Sequence, residues 1–332
     1  MTRPRTIDAH THILTEEMIA LLAKEAPWIA PKLTPIDDDF AVLEVAGTPY
    51  RPFPRGGWEL ERRFKDMDAA EVDVQVLSAA PQTYLYDQDP ALTTATSALQ
   101  NDQIAKLVKE HPDRFMGIAT LPMQAPENAA AELRRAVNEL GMHGAMIGSN
   151  IVGKNLDDPA LAPVWAAAEE LGVLMIIHPA NVAGADRLRS YYLQNLIGNP
   201  LDTTIAAACL VFGGVMERHP KLNVLLVHGG GFVPYQAGRW AHGWHVRPEP
   251  KTNVDKSPEP LIDRFYYDTI LHAKPQLEFL VASAGAPRVL LGSDYPYDMG
   301  TGECVRQVDA LWIDDSEKNA IWNGNVTKLL GL

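Results

Sequence analysis

The sequence predicts an α/β protein built as a (β/α)8 barrel with a small β-containing insertion after the first strand. Three observations predict it. Eight short apolar or β-branched runs alternate with longer stretches of helical periodicity. Several of the runs, VLMII and VLLV among them, are continuously apolar, as strands buried on both faces must be. Polar residues gather at the C-terminal ends of the runs, where barrel active sites assemble. A doubly wound open sheet is the structural rival, and the count of eight favours the barrel.

The predicted strands are Thr6–Ile13, Asp73–Ala79, Phe115–Leu121, Gly144–Ser149, Val173–His178, Asn223–His228, Phe265–Ile270 and Val289–Ser293. The clearest helices are ELERRFKDMDAAEV, ALTTATSALQNDQIAKLVKEH, ENAAAELRRAVNEL and APVWAAAEELG, where apolar residues recur every three or four positions. Residues 15 to about 58 break this rhythm with six prolines. A structureless loop of that length is improbable inside a compact domain. FAVLEV and the following GTPY read as strands around a glycine turn, so the segment is expected to be an insertion beside the barrel mouth. The whole chain, 1–332, is then one barrel domain. The proline-rich stretch 246–260 is a second exposed excursion.

Composition narrows the function. Apolar residues make up 46% and charged residues 21%, which supports a sizeable core and gives no case for disorder. The net charge of −13 makes the chain a poor ligand for nucleic-acid backbones. The N-terminal stretch MTRPRTIDAHTHI has no apolar leader, and no run approaches 18 apolar residues, so no membrane partner is expected. Two cysteines cannot form a disulfide framework. They fit a reduced, cytoplasmic protein with Cys209 buried in an apolar stretch.

Five polar residues stand out by position. His10 and His12 lie at i, i+2 in IDAHTHI, which turns both imidazoles to one face of a strand. His178 closes VLMIIHP, His228 closes VLLVHGGG and Asp294 closes VLLGSDYP. Packing would require a separate hydrogen-bond partner for each. One divalent cation accounts for all of them. Imidazole nitrogen with carboxylate oxygen suits zinc, with manganese, iron or cobalt as alternatives. His111 and His219 sit before prolines at helix ends, where a histidine suits the dipole. His143 begins a strand, at the wrong end for a site. His242, His245 and His272 are assigned to the surface or to a supporting role.

This ligand order, HxH after the first strand, His after the fifth and sixth and Asp after the eighth, resembles the amidohydrolase superfamily. The end of the fourth strand, HGAMIGSN, has no lysine to bridge two metals, so the chain is similar to one-metal members. DAHTHI, MDAAEVDVQVLS, NDQIAKLVKEHPDRFMGIATLPMQ, NLDDPALAPVW, IIHP, LVHGGG and VLLGSDYP resemble the aminocarboxymuconate semialdehyde decarboxylase group, which also contains hydroxybenzoate decarboxylases. The resemblance implies non-oxidative decarboxylation of a small unsaturated or aromatic carboxylic acid. It implies His10, His12, His178 and Asp294 as ligands of one metal, with Asp294 also catalytic. His228 is then the acid/base beside a metal-bound water or hydroxide, or the donor in direct carbon protonation.

Arg51 in PYRPFP, Arg239 in AGRWAHGW and Arg247 in HVRPEP match carboxylate-binding arginines of the group. Its members are typically homodimers in which such an arginine crosses between subunits, which implies a homodimer here. Tyr191 and Tyr297 stand where the group has Trp and Phe, and Asp298 follows Tyr297. These changes add polar groups near the expected substrate. A hydrolase opening a lactone or amide on the same scaffold is the alternative.

Overall fold

A computed structural model describes residues 4–332; the first three residues of the N-terminal stretch lie outside the described residues. The eight expected strands form a closed parallel barrel. They are Ile7–Ile13, Val74–Ala79, Phe115–Gly117 continued by Ala119–Thr120, Gly144–Gly148, Leu174–His178, Asn223–Leu226, Tyr266–Asp268 and Val289–Leu290. The third strand breaks at Ile118. Its first half pairs with the second strand and its second half with the fourth, so it hinges two sheet segments together. The eighth strand meets the first through Ala9 N–H to Leu291 O at 2.8 Å and Asp294 N–H to His10 O at 2.9 Å. A parallel bridge between Thr11 and Tyr295 completes the closure.

The helices follow from local signals. Pro90–Glu110 begins with Asp89, whose carboxylate accepts from the Ala91 and Leu92 N–H groups, and Pro90 occupies the first turn. Ala162–Leu171 stops at Gly172, which takes the left-handed conformation at φ 67°. The core is one buried cluster around Ile176, Ile177, Leu225, Leu226, Leu290 and Leu291. It is closed by apolar helix faces such as Ala129, Leu133 and Ala136.

Strands at Lys32–Pro35, Phe40–Val45 and Thr48–Pro54 form an antiparallel sheet. Its hairpin turns at Ala46 and Gly47, both at positive φ (48° and 78°), the turn that matches strand twist. Leu43, Val45 and Phe53 join the barrel's buried cluster. The helix Glu16–Glu25 before this sheet was not among the elements expected in the insertion. Thr15 caps it, its side chain accepting the Met18 N–H, and Met18 and Leu22 are its buried face. In the stretch 246–260 only short turns form, Glu249–Lys251 and the start of Glu259–Ile262.

One cysteine assignment is corrected. Cys209 is only half-buried, while Cys304 is the buried thiol. Cys209 lies on the helix Asn199–Phe212, whose core contacts come from Ala206, Ala207, Leu210 and Val211 instead. No described helix is long and apolar enough to cross a membrane.

Candidate metal centre

The first strand carries a bulge between Asp8 and Thr11, where it shifts register against the second strand. His10, within it, and His12, just past it, are fully buried and turned inward. Their Nε2 atoms lie 3.0 Å apart. Asp294 brings Oδ1 to 3.2 Å from His12 Nε2 and 3.4 Å from His10 Nε2. His178, at the end of the fifth strand, donates Nδ1–H to the Pro179 carbonyl at 3.0 Å. That bond leaves a lone pair on Nε2, which is buried with no hydrogen-bond partner. One ligand atom from each of His10, His12, His178 and Asp294 falls within 4.8 Å of the others.

These residues fit a divalent cation. Two imidazole nitrogens 3.0 Å apart and a carboxylate oxygen converge beside an orphaned third nitrogen, an arrangement a cation satisfies in full. Donors each about 2.0–2.1 Å from a common ion stand roughly 3.3 Å apart in a tetrahedral shell, close to the separations around Asp294. Three of the four protonation states agree. Burial pushes His12 down to about 4 and His178 well below the usual range, which keeps both imidazoles neutral. Asp294 is buried, which opposes ionisation, but the histidines around it hold its carboxyl well below the usual range. For His10, burial opposes protonation and is outweighed by Asp294 and Asp268, so its pKa is raised.

His228 stands beside this set, with Nε2 3.4 Å from Asp294 Oδ2. Its backbone is left-handed, at φ 55°, as is that of Asp294 at φ 59°. Non-glycine residues rarely adopt this conformation, and it recurs at functional sites. Here it ends each strand abruptly and turns the side chain over the barrel mouth. Three glycines follow His228, all at positive φ. A Cβ on Gly230 would lie 2.4 Å from the Tyr267 ring.

The centre opens into a cavity of about 460 Å³. His178, His228 and Asp294 form part of its wall, together with Tyr50, Gln82, Tyr84, Tyr86, Asn195 and Tyr297. Tyr297 packs on His12 with ring centroids 5.1 Å apart and donates its hydroxyl to Gln82 Oε1 at 2.6 Å. Burial, with Asp294 adding to it, pushes its phenol well up, so it is a donor at neutral pH.

The other expected substrate residues do not reach this wall in a single chain. Arg51 is exposed at the register shift of its strand, which brings Tyr50 and Phe53 to one side, each in ring contact with Tyr297. Arg239 is exposed on the helix Val233–Val246. Arg247 is exposed and pairs with Glu249 instead. Tyr191 is 87% exposed. His242, His245 and His272 are exposed, and His143 bonds the Leu330 carbonyl at the opposite end of its strand from the centre.

Sequence reasoning missed the residues that hold the centre in place. Asp268 ends the seventh strand and is fully buried. Its Oδ2 accepts from His10 Nδ1 at 2.8 Å and from the His228 N–H at 3.0 Å, and its Oδ1 accepts from the Gly229 N–H at 2.7 Å. The signal was present: FYYDTI is another apolar run closed by a lone carboxylate. Arg63, fully buried, donates to the carbonyls of His12 and Gly56 and to Gln75 Oε1. It was hidden in a helix that reads as solvent-facing.

The profile of the family described as Amidohydrolase matches residues 7–332. The chain belongs to the amidohydrolase family. Among curated relatives in it, the 2-amino-3-carboxymuconate-6-semialdehyde decarboxylase of Dictyostelium discoideum is 36% identical over 99% of this chain and 92% of its own length. The gamma-resorcylate decarboxylase of Rhodococcus jostii is 28% identical over 90% of this chain and 98% of its own. Among solved structures, the 5-carboxyvanillate decarboxylase of Sphingomonas paucimobilis superposes with a TM-score of 0.85 at 23% identity, covering 99% of both chains. That last likeness speaks for the fold. The named relatives are carboxy-lyases, which favours the decarboxylase reading over the lactone or amide hydrolase.

Proposed function

We propose that this protein is a metal-dependent, non-oxidative decarboxylase of a small unsaturated or aromatic carboxylic acid. The observation that carries the reading is the convergence of His10, His12, His178 and Asp294 at the floor of a cavity large enough for such an acid. These four residues would hold one divalent ion, which we take to be zinc from the three imidazoles and one carboxylate. When bound, it supplies Lewis acidity toward water and toward substrate oxygens. His228 is the residue placed to take up or return a proton at its Nε2, 3.4 Å from Asp294. Asp268 accepts the His228 N–H and so fixes the backbone that carries the ring. Tyr297 closes one side with a neutral hydroxyl and limits water at the reacting carbon.

We read the chain as one barrel domain whose insertion, at about residues 15–58, roofs the site. Arg51, Arg239 and Arg247 would meet an anionic substrate only in an assembly. A homodimer is the economical form of one, because the helix Val233–Val246 carries Arg239 on a face with exposed Tyr235 and Val246. Tyr191 belongs to the same proposed edge of the pocket. A reducing, cytoplasmic location suits two free cysteines.

The test is direct. Purified protein loaded with zinc or manganese is incubated with candidate carboxylates while CO2 release and product mass are followed. Loss of CO2 supports the reading; opening of lactones or amides with no CO2 overturns it. Light scattering in solution reads the dimer. Arg239→Ala should weaken acid binding, and unchanged kinetics would remove it from the pocket.

A further inference from the structure

His178 can serve a metal through Nε2 only if its proton is kept on the other nitrogen. Burial keeps the ring neutral, and a neutral imidazole carries one proton on either Nδ1 or Nε2. With the proton on Nε2 the residue would offer an ion no lone pair. Here Nδ1 meets the Pro179 carbonyl at 3.0 Å, and a carbonyl only accepts, so the proton stands on Nδ1. The tautomer is therefore set by the direction in which one peptide group, Pro179–Ala180, is turned.

That peptide is planar, so its carbonyl and its N–H turn together. The N–H donates to Ser149 Oγ at 3.2 Å. The Ser149 N–H donates to the His178 carbonyl at 2.8 Å, so one serine holds the backbone on both sides of Pro179. The Ser149 hydroxyl donates its own proton to Asp202 Oδ2, which leaves its lone pairs for Ala180. Asn150 Nδ2 donates to the same Oδ2 at 2.9 Å and to the Ala180 carbonyl at 2.6 Å. Asp202 Oδ1 accepts the Ala183 N–H at 3.0 Å. Ser149, Asn150 and Asp202 are all buried.

An asparagine would fill the place of Asp202 with no charge to bury. What it lacks is a second acceptor. Donors converge on both oxygens of Asp202, and only a carboxylate accepts on both. The direction of each bond follows from there, through Ser149 and the peptide to the His178 proton.

We propose that Asp202 is a positioning residue for the metal centre: through Ser149 it orients the Pro179–Ala180 peptide and so holds His178 in the tautomer that leaves Nε2 free for the metal. This rests on reading His178 as a metal ligand.

Imidazole nitrogen shifts of metal-free protein with isotope-labelled histidine read the tautomer, the His178 signals being those absent from His178→Gln. Wild type should show one neutral form, protonated at Nδ1. Asp202→Asn and Ser149→Ala should each show a mixture of the two forms. Each should also lower zinc affinity about tenfold, by chelator competition. The double variant should be no worse than the poorer single one, because both cut the same chain. Ser149→Ala leaves the Asp202 bonds to Asn150 and Ala183 in place, and it decides the matter if Asp202→Asn does not fold. A single Nδ1–H form in the folded variants overturns the proposal, whether or not their melting temperatures fall, since Asp202 would then only pack. So do unchanged affinity for zinc in the variants of a zinc-binding wild type, and losses that add in the double variant. If wild type binds no zinc yet the variants mix tautomers, the metal reading fails and the relay to the His178 ring stands; zinc bound equally by wild type and variants is the reverse.

Discussion

Asp268 touches His10 and the backbones of His228 and Gly229 at once, so one carboxylate orients both a proposed metal ligand and the proposed proton carrier. Carboxylates behind ligand histidines fix the tautomer and raise the basicity of the coordinating nitrogen. Asp268→Asn should lower zinc affinity by about 10–100-fold, read by chelator competition. Unaltered affinity would assign the carboxylate to backbone support alone. His228→Ala makes the complementary case: turnover should vanish while bound metal stays near one ion per chain by elemental analysis. Loss of the metal would move His228 into the ligand set. The ligand residues themselves were legible because each is a lone polar side chain ending an apolar run. Asp268 fits the same pattern and was passed over. Arg63 could not be read at all, because nothing local distinguishes a buried arginine from its solvated neighbour Arg62.

At the scale of elements, strand ends do most of the positioning. The glycine run after the sixth strand lets the chain turn hard against the seventh, and Gly230 has φ 76° with no room for a side chain. Gly230→Ala should destabilise the protein by about 1–3 kcal/mol, combining left-handed backbone with a clash. A thermal melt within a degree of wild type would show that the Tyr267 ring moves aside freely. The insertion is held by Phe53, fully buried and stacked on Trp58 with centroids 5.6 Å apart. Phe53→Ala should cost about 3–5 kcal/mol if the sheet docks as firmly as core. Denaturant unfolding measures it, and a smaller loss confined to an early transition would mark the insertion as an independent unit. The helix Glu16–Glu25 shows where periodicity failed. Its cap and its two buried residues are plain locally, yet only FAVLEV and GTPY were read as elements in a segment that six prolines set apart from the barrel rhythm.

For the whole molecule, the barrel ties its last helix back to its base through His143. The imidazole bonds the Leu330 carbonyl at 3.0 Å, and burial lowers its pKa below the ordinary 6.5. The sign follows from linkage. Below about pH 6.5 the unfolded chain takes up a proton that the folded chain refuses, so this residue removes stability as pH falls toward its folded pKa. His143→Gln should therefore lose less stability than wild type between pH 7.5 and pH 5. Urea midpoints at the two pH values check it, and equal losses would place the acid sensitivity elsewhere. Net charge belongs to this scale too. The overall −13 describes the solvated surface and says nothing of the centre, where three imidazoles face one carboxylate.

The sequence by itself pointed to the barrel through eight apolar runs: burial on both faces fits an open doubly wound sheet as well, and the count of eight favoured closure. It also determined the donor set, because a histidine or aspartate ending such a run has to find a partner at the mouth. Only the tertiary structure decided which groups stand behind those donors, and which expected substrate residues reach the cavity. Asp268 and Arg63 act across strands far apart in sequence, and no local pattern encodes such a meeting. Arg51 turns outward while Tyr50 and Phe53 turn in, a matter of strand geometry that a motif match does not carry.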